Sequence, residues 1–123
     1  LTCGVPSIDV NDFRDNMTYI PPYNKDTLVV KLFFEVIYNW GNDDLAKLLL
    51  FMTGSSRVPV NGFKEFVEIT GEKLKIGPGG KRENWPQSHT CFNELDLPEY
   101  QTKEELETKL RRSMEYYNTF GIK

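Results

Sequence analysis

The segment DTLVVKLFFEVIYNWGNDDLAKLLLFMTG, residues 26–54, predicts two consecutive helices. Apolar side chains recur at helical spacing in both halves. The stripe consists of Val29, Phe33, Val36, Ile37 and Trp40 in the first half and Leu45, Leu48, Leu49 and Met52 in the second. We predict that Asp26 caps the first helix (Leu28–Trp40), that Asn42 caps the second and that Gly54 ends it. A connection this short predicts an antiparallel helical hairpin.

Downstream of this pair, alternating apolar and polar residues predict a small β-sheet. Residues 67–70 and 74–76 alternate on either side of a Gly71-Glu72 turn, which is typical of a β-hairpin. One or two further short strands are expected between His89 and Leu97, and Pro98 should end them. Gly77 to Lys81 lacks the spacing of a phosphate-binding loop, so we expect a plain surface loop there.

The end of the chain carries the clearest helical signal. Thr102 and Glu105 form a capping box. The apolar stripe that follows consists of Leu106, Leu110, Met114 and Tyr117. A short helix is also expected near Val10–Asn16, in an otherwise irregular segment. Helices flanking a small β-sheet, with a helix at the C-terminus, place the chain in the α/β class, more narrowly α+β.

Chain length and net charge limit the classes of protein to which this chain could belong. The chain has 123 residues, which favours one domain. Its net charge of -3 gives no basic surface for nucleic acid, and no apolar run is long enough for a membrane span. The chain begins at Leu1 without a methionine, and we expect it to be a fragment of a longer protein.

The cysteine and histidine counts argue against a disulfide scaffold and against a metal site. The cysteines are Cys3 and Cys91, and His89 is the single histidine. These three residues cannot provide the four ligands that structural zinc prefers. We therefore expect no metal, no cofactor and a reducing compartment.

Cys91 is the candidate nucleophile, and its neighbourhood alone leaves several interpretations open. His89 precedes it by two positions, and on an extended segment the two side chains would point to the same side. The thiol is either a small buried side chain next to an ordinary surface histidine, or a reactive group. A cysteine hydrolase would also need a residue that orients the histidine, for which Asn93 is nearby, and a cleft for its substrate.

Three blocks of the sequence resemble the C-terminal lobe of HECT-type ubiquitin ligases. The block around the cysteine is Ser88-His89-Thr90-Cys91-Phe92-Asn93, followed by Leu95, Leu97-Pro98 and Tyr100. The second block comprises Leu49, Phe51, Thr53-Gly54-Ser55-Ser56-Arg57, Pro59 and Gly62-Phe63. The third comprises Cys3-Gly4, Ile8-Asp9, Tyr19, Tyr23 and the helix at Lys31–Val36. The resemblance covers the whole chain in order.

The resemblance implies a HECT C-lobe over residues 7–123, preceded by the end of the N-lobe and an interlobe hinge in residues 1–6. It implies that Cys91 accepts ubiquitin from a conjugating enzyme as a thioester and transfers it to a substrate lysine. The implied partners are ubiquitin, protein substrates and a conjugating enzyme that binds the absent N-lobe. The implied location is the cytoplasm, the nucleus or both.

The resemblance also implies supporting roles around the thioester. They fall on His89, Thr90, Phe92 and Asn93, and on Phe120 close to the C-terminus, whose counterpart in the family is tied to ubiquitin transfer. The alternative is a catalytically silent lobe that only binds ubiquitin or another partner. The intact motif around the cysteine argues against it.

Two positions depart from the family pattern on the ubiquitin-binding surface. Trp85 stands where a leucine is common, near the docked ubiquitin, and it still offers an apolar contact. Arg112 stands where some relatives have an apolar contact. These departures concern how ubiquitin is held rather than the chemistry at the cysteine.

Overall fold

A small mixed β-sheet and the helices around it make up the fold in the computed structural model, which describes residues 8–55, 59 and 62–119. Within these ranges there are five α-helices, four strands and a 3-10 turn. The helices are α1 (Val10–Asp15), α2 (Leu28–Tyr38), α3 (Asn42–Thr53), α4 (Phe63–Thr70) and α5 (Lys103–Thr119). The strands are β1 (Met17–Tyr19), β2 (Leu74–Pro78), β3 (Gln87–His89) and β4 (Glu94–Leu97), and the 3-10 turn is Thr90–Phe92. The predicted α+β class is confirmed.

The sheet has the strand order β1-β2-β4-β3. Strand β2 runs parallel to both β1 and β4, whereas β3 pairs antiparallel with β4. Successive side chains of a strand point to opposite faces. Ile76, Leu95 and Leu97 are fully buried, while Glu94 and Asp96 alternate with them on the other face. Of the one or two short strands expected between His89 and Leu97, β4 is confirmed, whereas β3 ends at His89, where that range begins.

The core is one continuous cluster of apolar side chains from all the helices and from the sheet. Helix α5 packs against α2 and α3, and α3 also lies against β3 and β4. The fully buried members include Phe33, Ile37, Leu48, Met52, Leu106 and Leu110. Each such side chain stabilises the fold by roughly 1.5–3 kcal/mol. The predicted stripe of the C-terminal helix is confirmed, and no helix in the described ranges is long and apolar enough to cross a membrane.

The predicted β-hairpin around Gly71 is wrong. Residues 63–70 form helix α4, and only the second half of the hairpin, β2, is a strand. Phe63 and Phe66 are buried three residues apart, so the apolar face follows helical spacing. Gly71 has φ +79 and ends α4 in the left-handed conformation instead of turning between strands.

Two predicted helix caps are also wrong. The N-cap of α2 is Thr27 rather than Asp26, and it makes no side-chain capping bond. Gly41 occupies the N-cap of α3, while the Oδ1 atom of Asn42 accepts a hydrogen bond of 2.8 Å from the backbone N–H of Ile8. That bond ties the start of the described chain to the helical pair. Gly54 ends α3 at φ +83, as predicted.

The capping box of the C-terminal helix is present in modified form. The backbone N–H of Glu105 donates to Oγ1 of Thr102 over 3.1 Å. The Glu105 carboxylate accepts from the backbone N–H of Gln101 and pairs with Arg82 at 3.1 Å. The Arg82 hydrogen bond holds the pKa of Glu105 below its ordinary value. The start of α5 is thus joined to the loop after β2.

Tyr23 connects the N-terminal segment to the strand that follows the 3-10 turn. Its hydroxyl donates a 2.6 Å hydrogen bond to the backbone carbonyl of Leu97, and the side chain is buried. Burial, together with the nearby charge of Glu99, raises the pKa of Tyr23 to about 12. Burial also raises the pKa of Tyr100.

Removing the Tyr23 hydroxyl should change both stability and its alkaline dependence. We expect Tyr23→Phe to lower the free energy of unfolding near neutral pH by about 1–2 kcal/mol, because a buried carbonyl loses its donor. The folded pKa of Tyr23 is raised from 10.0 to about 12, so its contribution is present below the unfolded pKa and is lost between these values. Urea denaturation at neutral and alkaline pH should show a smaller alkaline loss in the variant. Equal losses would contradict this assignment.

Candidate active site

Cys91 lies on an exposed turn between two paired strands. The 3-10 turn Thr90–Phe92, here called the Cys91 turn, joins β3 to β4. Cys91 is exposed and its thiol is free. The interpretation as a buried structural cysteine is therefore wrong. Phe92 beside it is 54% exposed, so the thiol lies on an accessible surface with an apolar neighbour.

Asn93 holds the C-terminal end of the Cys91 turn. It has φ +52 and ψ +40, the left-handed conformation, and it is buried. Its Nδ2 atom donates to Oγ1 of Thr70 over 3.1 Å and to the backbone carbonyl of Glu72 over 2.9 Å. These bonds attach the turn to the end of α4. Asparagine tolerates this backbone conformation better than most residues do.

Two further contacts fix the turn on the scaffold. The Lys75 ammonium donates to the backbone carbonyl of Phe92 over 2.9 Å and pairs with the Glu72 carboxylate at 2.9 Å. On the other side, Thr90 packs against the end of α3, where a Cβ added to Gly54 would lie 3.5 Å from the Thr90 Cβ. A turn held at several points presents its thiol in a defined position.

His89 pairs with Asp96 across the sheet. The His89 Nε2 atom lies 2.9 Å from Oδ2 of Asp96, on the outer face of β3 and β4. Glu94 lies on the same face, and its pKa is raised, first by burial and then by the hydrogen bond and charge of Asp96. Asn93 is turned toward Thr70, so it does not orient the histidine as the hydrolase interpretation required. Asp96 takes that position instead.

Comparison with known proteins agrees with this arrangement. The HECT-domain (ubiquitin-transferase) model matches residues 1–123. The chain belongs to the HECT-domain family. It is 40% identical over 116 residues to E3 ubiquitin-protein ligase Nedd-4 of Drosophila melanogaster, which covers 94% of this chain and 12% of that protein. The identity is 42% over 120 residues with E3 ubiquitin-protein ligase pub3 of Schizosaccharomyces pombe, or 97% of this chain and 15% of that protein.

Human E3 ubiquitin-protein ligase NEDD4 shows the same relationship. It is 39% identical over 123 residues, which cover 99% of this chain and 9% of the human protein. The chain therefore corresponds to a small part of each of these ligases. The resemblance drawn from the motif around the cysteine is confirmed at the level of the family.

An apolar groove adjoins strand β3, which leads into the Cys91 turn, on this HECT chain. It encloses about 660 Å³ between β3, the residues before it and α5. This aromatic groove is lined by Phe51, Trp85, Pro86, Gln87, Ser88, Arg112, Ser113, Tyr116 and Tyr117. Trp85 is 46% exposed, and the Lys109 ammonium lies 5.1 Å from the centre of its ring. The two positions that depart from the family pattern, Trp85 and Arg112, thus line one surface.

Several residues at the site carry no recognisable motif in the sequence. Asp96, Glu94 and Lys75 reach the Cys91 turn or His89 through strand pairing, and Thr70 receives the Asn93 side chain. The alternation of Glu94 and Asp96 with leucines could have indicated one polar face on β4. The histidine pairing could not be predicted, because it depends on the register between β3 and β4.

The group formed by His89, Glu94 and Asp96 is the arrangement most like a metal site among the described residues. Their ligand atoms lie within 4.8 Å of one another. His89 is exposed and already bonded to Asp96, and the group provides fewer than the four ligands that structural zinc prefers. The geometry therefore gives no reason to assign a metal. Phe120 and the hinge predicted at residues 1–6 lie outside the described residues.

Two substitutions at Asn93 separate backbone strain from lost hydrogen bonds. Asn93→Gly and Asn93→Ala both remove the bonds to Thr70 and Glu72, which should lower the free energy of unfolding by about 1–3 kcal/mol. Only alanine is strained at a positive φ, so Asn93→Ala should be less stable than Asn93→Gly by about 1 kcal/mol. Urea denaturation of both variants measures the difference. Equal stability would show that the left-handed backbone is not required.

Proposed function

We propose that Cys91 accepts ubiquitin as a thioester and transfers it to a lysine of a protein substrate. The observation that carries this proposal is an exposed, free thiol on a turn fixed to the scaffold, in a chain of the HECT-domain family. A thiolate is a strong nucleophile and also a good leaving group. Both properties are needed, since the same sulfur must first receive and then release the ubiquitin carboxyl group.

The proposed reaction has two steps at one sulfur atom. In the first, the Cys91 thiolate attacks the carbonyl carbon of a thioester on the conjugating enzyme, and the thiolate of that enzyme leaves. One thioester replaces another, so this step is close to energetic balance. In the second, a lysine amine attacks the new thioester and forms an amide. That step is favourable and gives the sequence its direction.

The edge of β3 is suited to an extended peptide that ends at Cys91. Strand β3 is the last in the sheet order, so one of its edges has no strand partner among the described residues. It leads directly into the Cys91 turn. An extended C-terminal tail that pairs with this edge would bring its last carbonyl carbon toward the sulfur. We infer that the tail of ubiquitin binds in this way.

The aromatic groove is the proposed contact for the folded part of ubiquitin. It adjoins β3 through Gln87 and Ser88, and exposed aromatic side chains are typical of protein interfaces. Trp85 is the proposed central contact, and Arg112 adds a charge at the rim. Phe92 would border the thioester on its exposed side, with Thr90 and Asn93 holding the turn.

The remaining partners would be bound by other parts of a longer ligase. The chain spans 12% of the Drosophila relative and 9% of the human one. A conjugating enzyme and protein substrates are therefore proposed partners of the complete protein. We propose that residues 1–6 join this lobe to the remainder as a hinge and that Phe120 assists transfer. Cytoplasmic or nuclear localisation remains part of the same proposal.

Loading with ubiquitin that carries an activated C-terminal thioester tests the nucleophile directly. We expect one ubiquitin adduct on the chain, removed by a thiol reductant, and none on Cys91→Ala, because alanine has no sulfur. Gels with and without reductant measure the adduct. Cys3→Ala is the matched control, since it removes the chain's other cysteine and should load normally.

The outcomes also distinguish the alternative functions. An adduct that persists in Cys91→Ala would exclude this cysteine as the acceptor. Ubiquitin binding without any adduct would favour a silent binding lobe. Slow release of free ubiquitin at a rate independent of added lysine would favour a cysteine hydrolase.

Truncating Trp85 tests the docking surface. We expect Trp85→Ala to slow adduct formation roughly tenfold at subsaturating ubiquitin, because loss of a central aromatic contact typically costs more than 1 kcal/mol. Leu28→Ala is the matched control, since Leu28 is 51% exposed and does not line the groove. Alkylation of Cys91 by a small reagent should be equal in both variants. Equal loading of the two variants would place ubiquitin elsewhere.

A further inference from the structure

The pair formed by His89 and Asp96 is separate from the contacts by which Asn93 and Lys75 fix the Cys91 turn. In the antiparallel pair, His89 lies opposite Glu94, and Gln87 lies opposite Asp96. His89 and Asp96 are therefore diagonal neighbours on the outer face, close enough for long side chains to meet. Their 2.9 Å contact is exposed on the histidine side and shielded on the carboxylate side.

This contact determines which nitrogen of the imidazole can accept a proton. An ionised carboxylate only accepts hydrogen bonds, so the Nε2 atom that faces Asp96 must carry a hydrogen. In neutral His89 the lone pair is then on Nδ1, for which there is no hydrogen-bond partner within the described ranges. Glu94 lies opposite His89 on the same face, and its pKa is raised by partial burial and by the hydrogen bond and charge of Asp96.

Only Thr90 separates His89 from Cys91, so this lone pair belongs to the titratable side chain that is nearest to the reacting cysteine in sequence. His89 is the last residue of β3 and the residue that precedes the Cys91 turn. The paired strands fix its backbone, and Asp96 fixes its ring. A histidine oriented by a carboxylate, next to a cysteine nucleophile, is an arrangement suited to proton transfer.

We propose that Asp96 is a positioning residue that orients His89, so that Nδ1 of His89 accepts the proton released when a substrate lysine attacks the Cys91 thioester. The inference rests on the proposed function and adds a proton acceptor to it. His89 acts on the reacting atoms, and Asp96 acts through His89.

The lone pair of a neutral lysine amine forms the N–C bond at the thioester carbonyl carbon, and the nitrogen loses one proton to Nδ1. The C–S bond then breaks, and its electron pair leaves with Cys91 as the thiolate. The imidazolium formed at His89 returns its proton to the thiolate or to water. No oxidant, reductant or further reactant is required.

This role predicts that Asp96 affects transfer to lysine and not loading. During loading the attacking group is a thiolate, which has no proton to lose. During transfer the attacking amine must lose one. A merely structural defect in the Cys91 turn would slow both steps together, so the ratio of the two rates distinguishes the explanations.

The experiment measures both steps on the 123-residue chain. Loading with activated ubiquitin is followed first, and the purified adduct is then mixed with free lysine. For Asp96→Asn we expect the loading rate to stay within about twofold of that of the parent chain. Lysine-dependent discharge should be slowed at least tenfold. A general base contributes roughly 10²–10⁴-fold to a rate, and Asp96 acts only through His89. Asp96→Glu should restore part of the lysine rate.

Two controls keep the test decisive. Glu99→Gln removes an exposed carboxylate that lies outside the pair and should leave both rates unchanged. His89→Ala should slow discharge as much as Asp96→Asn does, and the double variant should be no slower than His89→Ala, because the two residues act as one unit. Urea denaturation of each variant verifies that it folds.

The outcomes separate this inference from the proposed function. Loading of the parent chain with unchanged discharge from Asp96→Asn would overturn the inference and leave the thioester intact. A parallel fall in loading and discharge would also overturn it. If the parent chain forms no adduct, the proposed function itself fails, and the inference fails with it.

Discussion

The left-handed backbone of Asn93 is the constraint on which the site depends. The chain must leave β3, form one 3-10 turn and enter β4 in antiparallel register within a few residues. A positive φ at Asn93 allows that reversal, and the side chain offsets its cost by donating two hydrogen bonds to the end of α4. The turn is therefore held by tertiary contacts. Because the residues around it are fixed, the exposed Cys91 thiol has a defined position.

The mixed topology of the sheet explains why functional groups converge beside the cysteine. Strand β4 lies between β2, which contributes Lys75, and β3, which contributes His89. Its leucines enter the core, and its acidic residues remain on the outer face next to the histidine. The same strand thus contributes to the core and to the face proposed for the chemistry. On its opposite side, β3 borders the aromatic groove. The site proposed for the tail of ubiquitin would therefore be continuous with the site proposed for its folded part.

Elements with one clear apolar face were predictable. The C-terminal helix and the helix that ends at Gly54 have stripes of helical spacing and recognisable ends, so local sequence is sufficient for both. The hairpin error shows where this reasoning stops. Residues 67–70 alternate apolar and polar side chains, a pattern that also fits the short helix α4 once Phe63 and Phe66 are seen to be buried. The predicted N-caps Asp26 and Asn42 were wrong because Thr27 and Gly41 occupy the N-cap positions of α2 and α3.

Local periodicity and a motif of contiguous residues were sufficient to predict the α+β class, the family and Cys91 as the residue of interest. Tertiary structure decided that the thiol is exposed, that Asn93 binds the end of α4 and that Asp96 faces His89. Each of these depends on residues several positions or more apart in the chain. Strand register and helix packing bring these residues together, and no local sequence pattern encodes either of them.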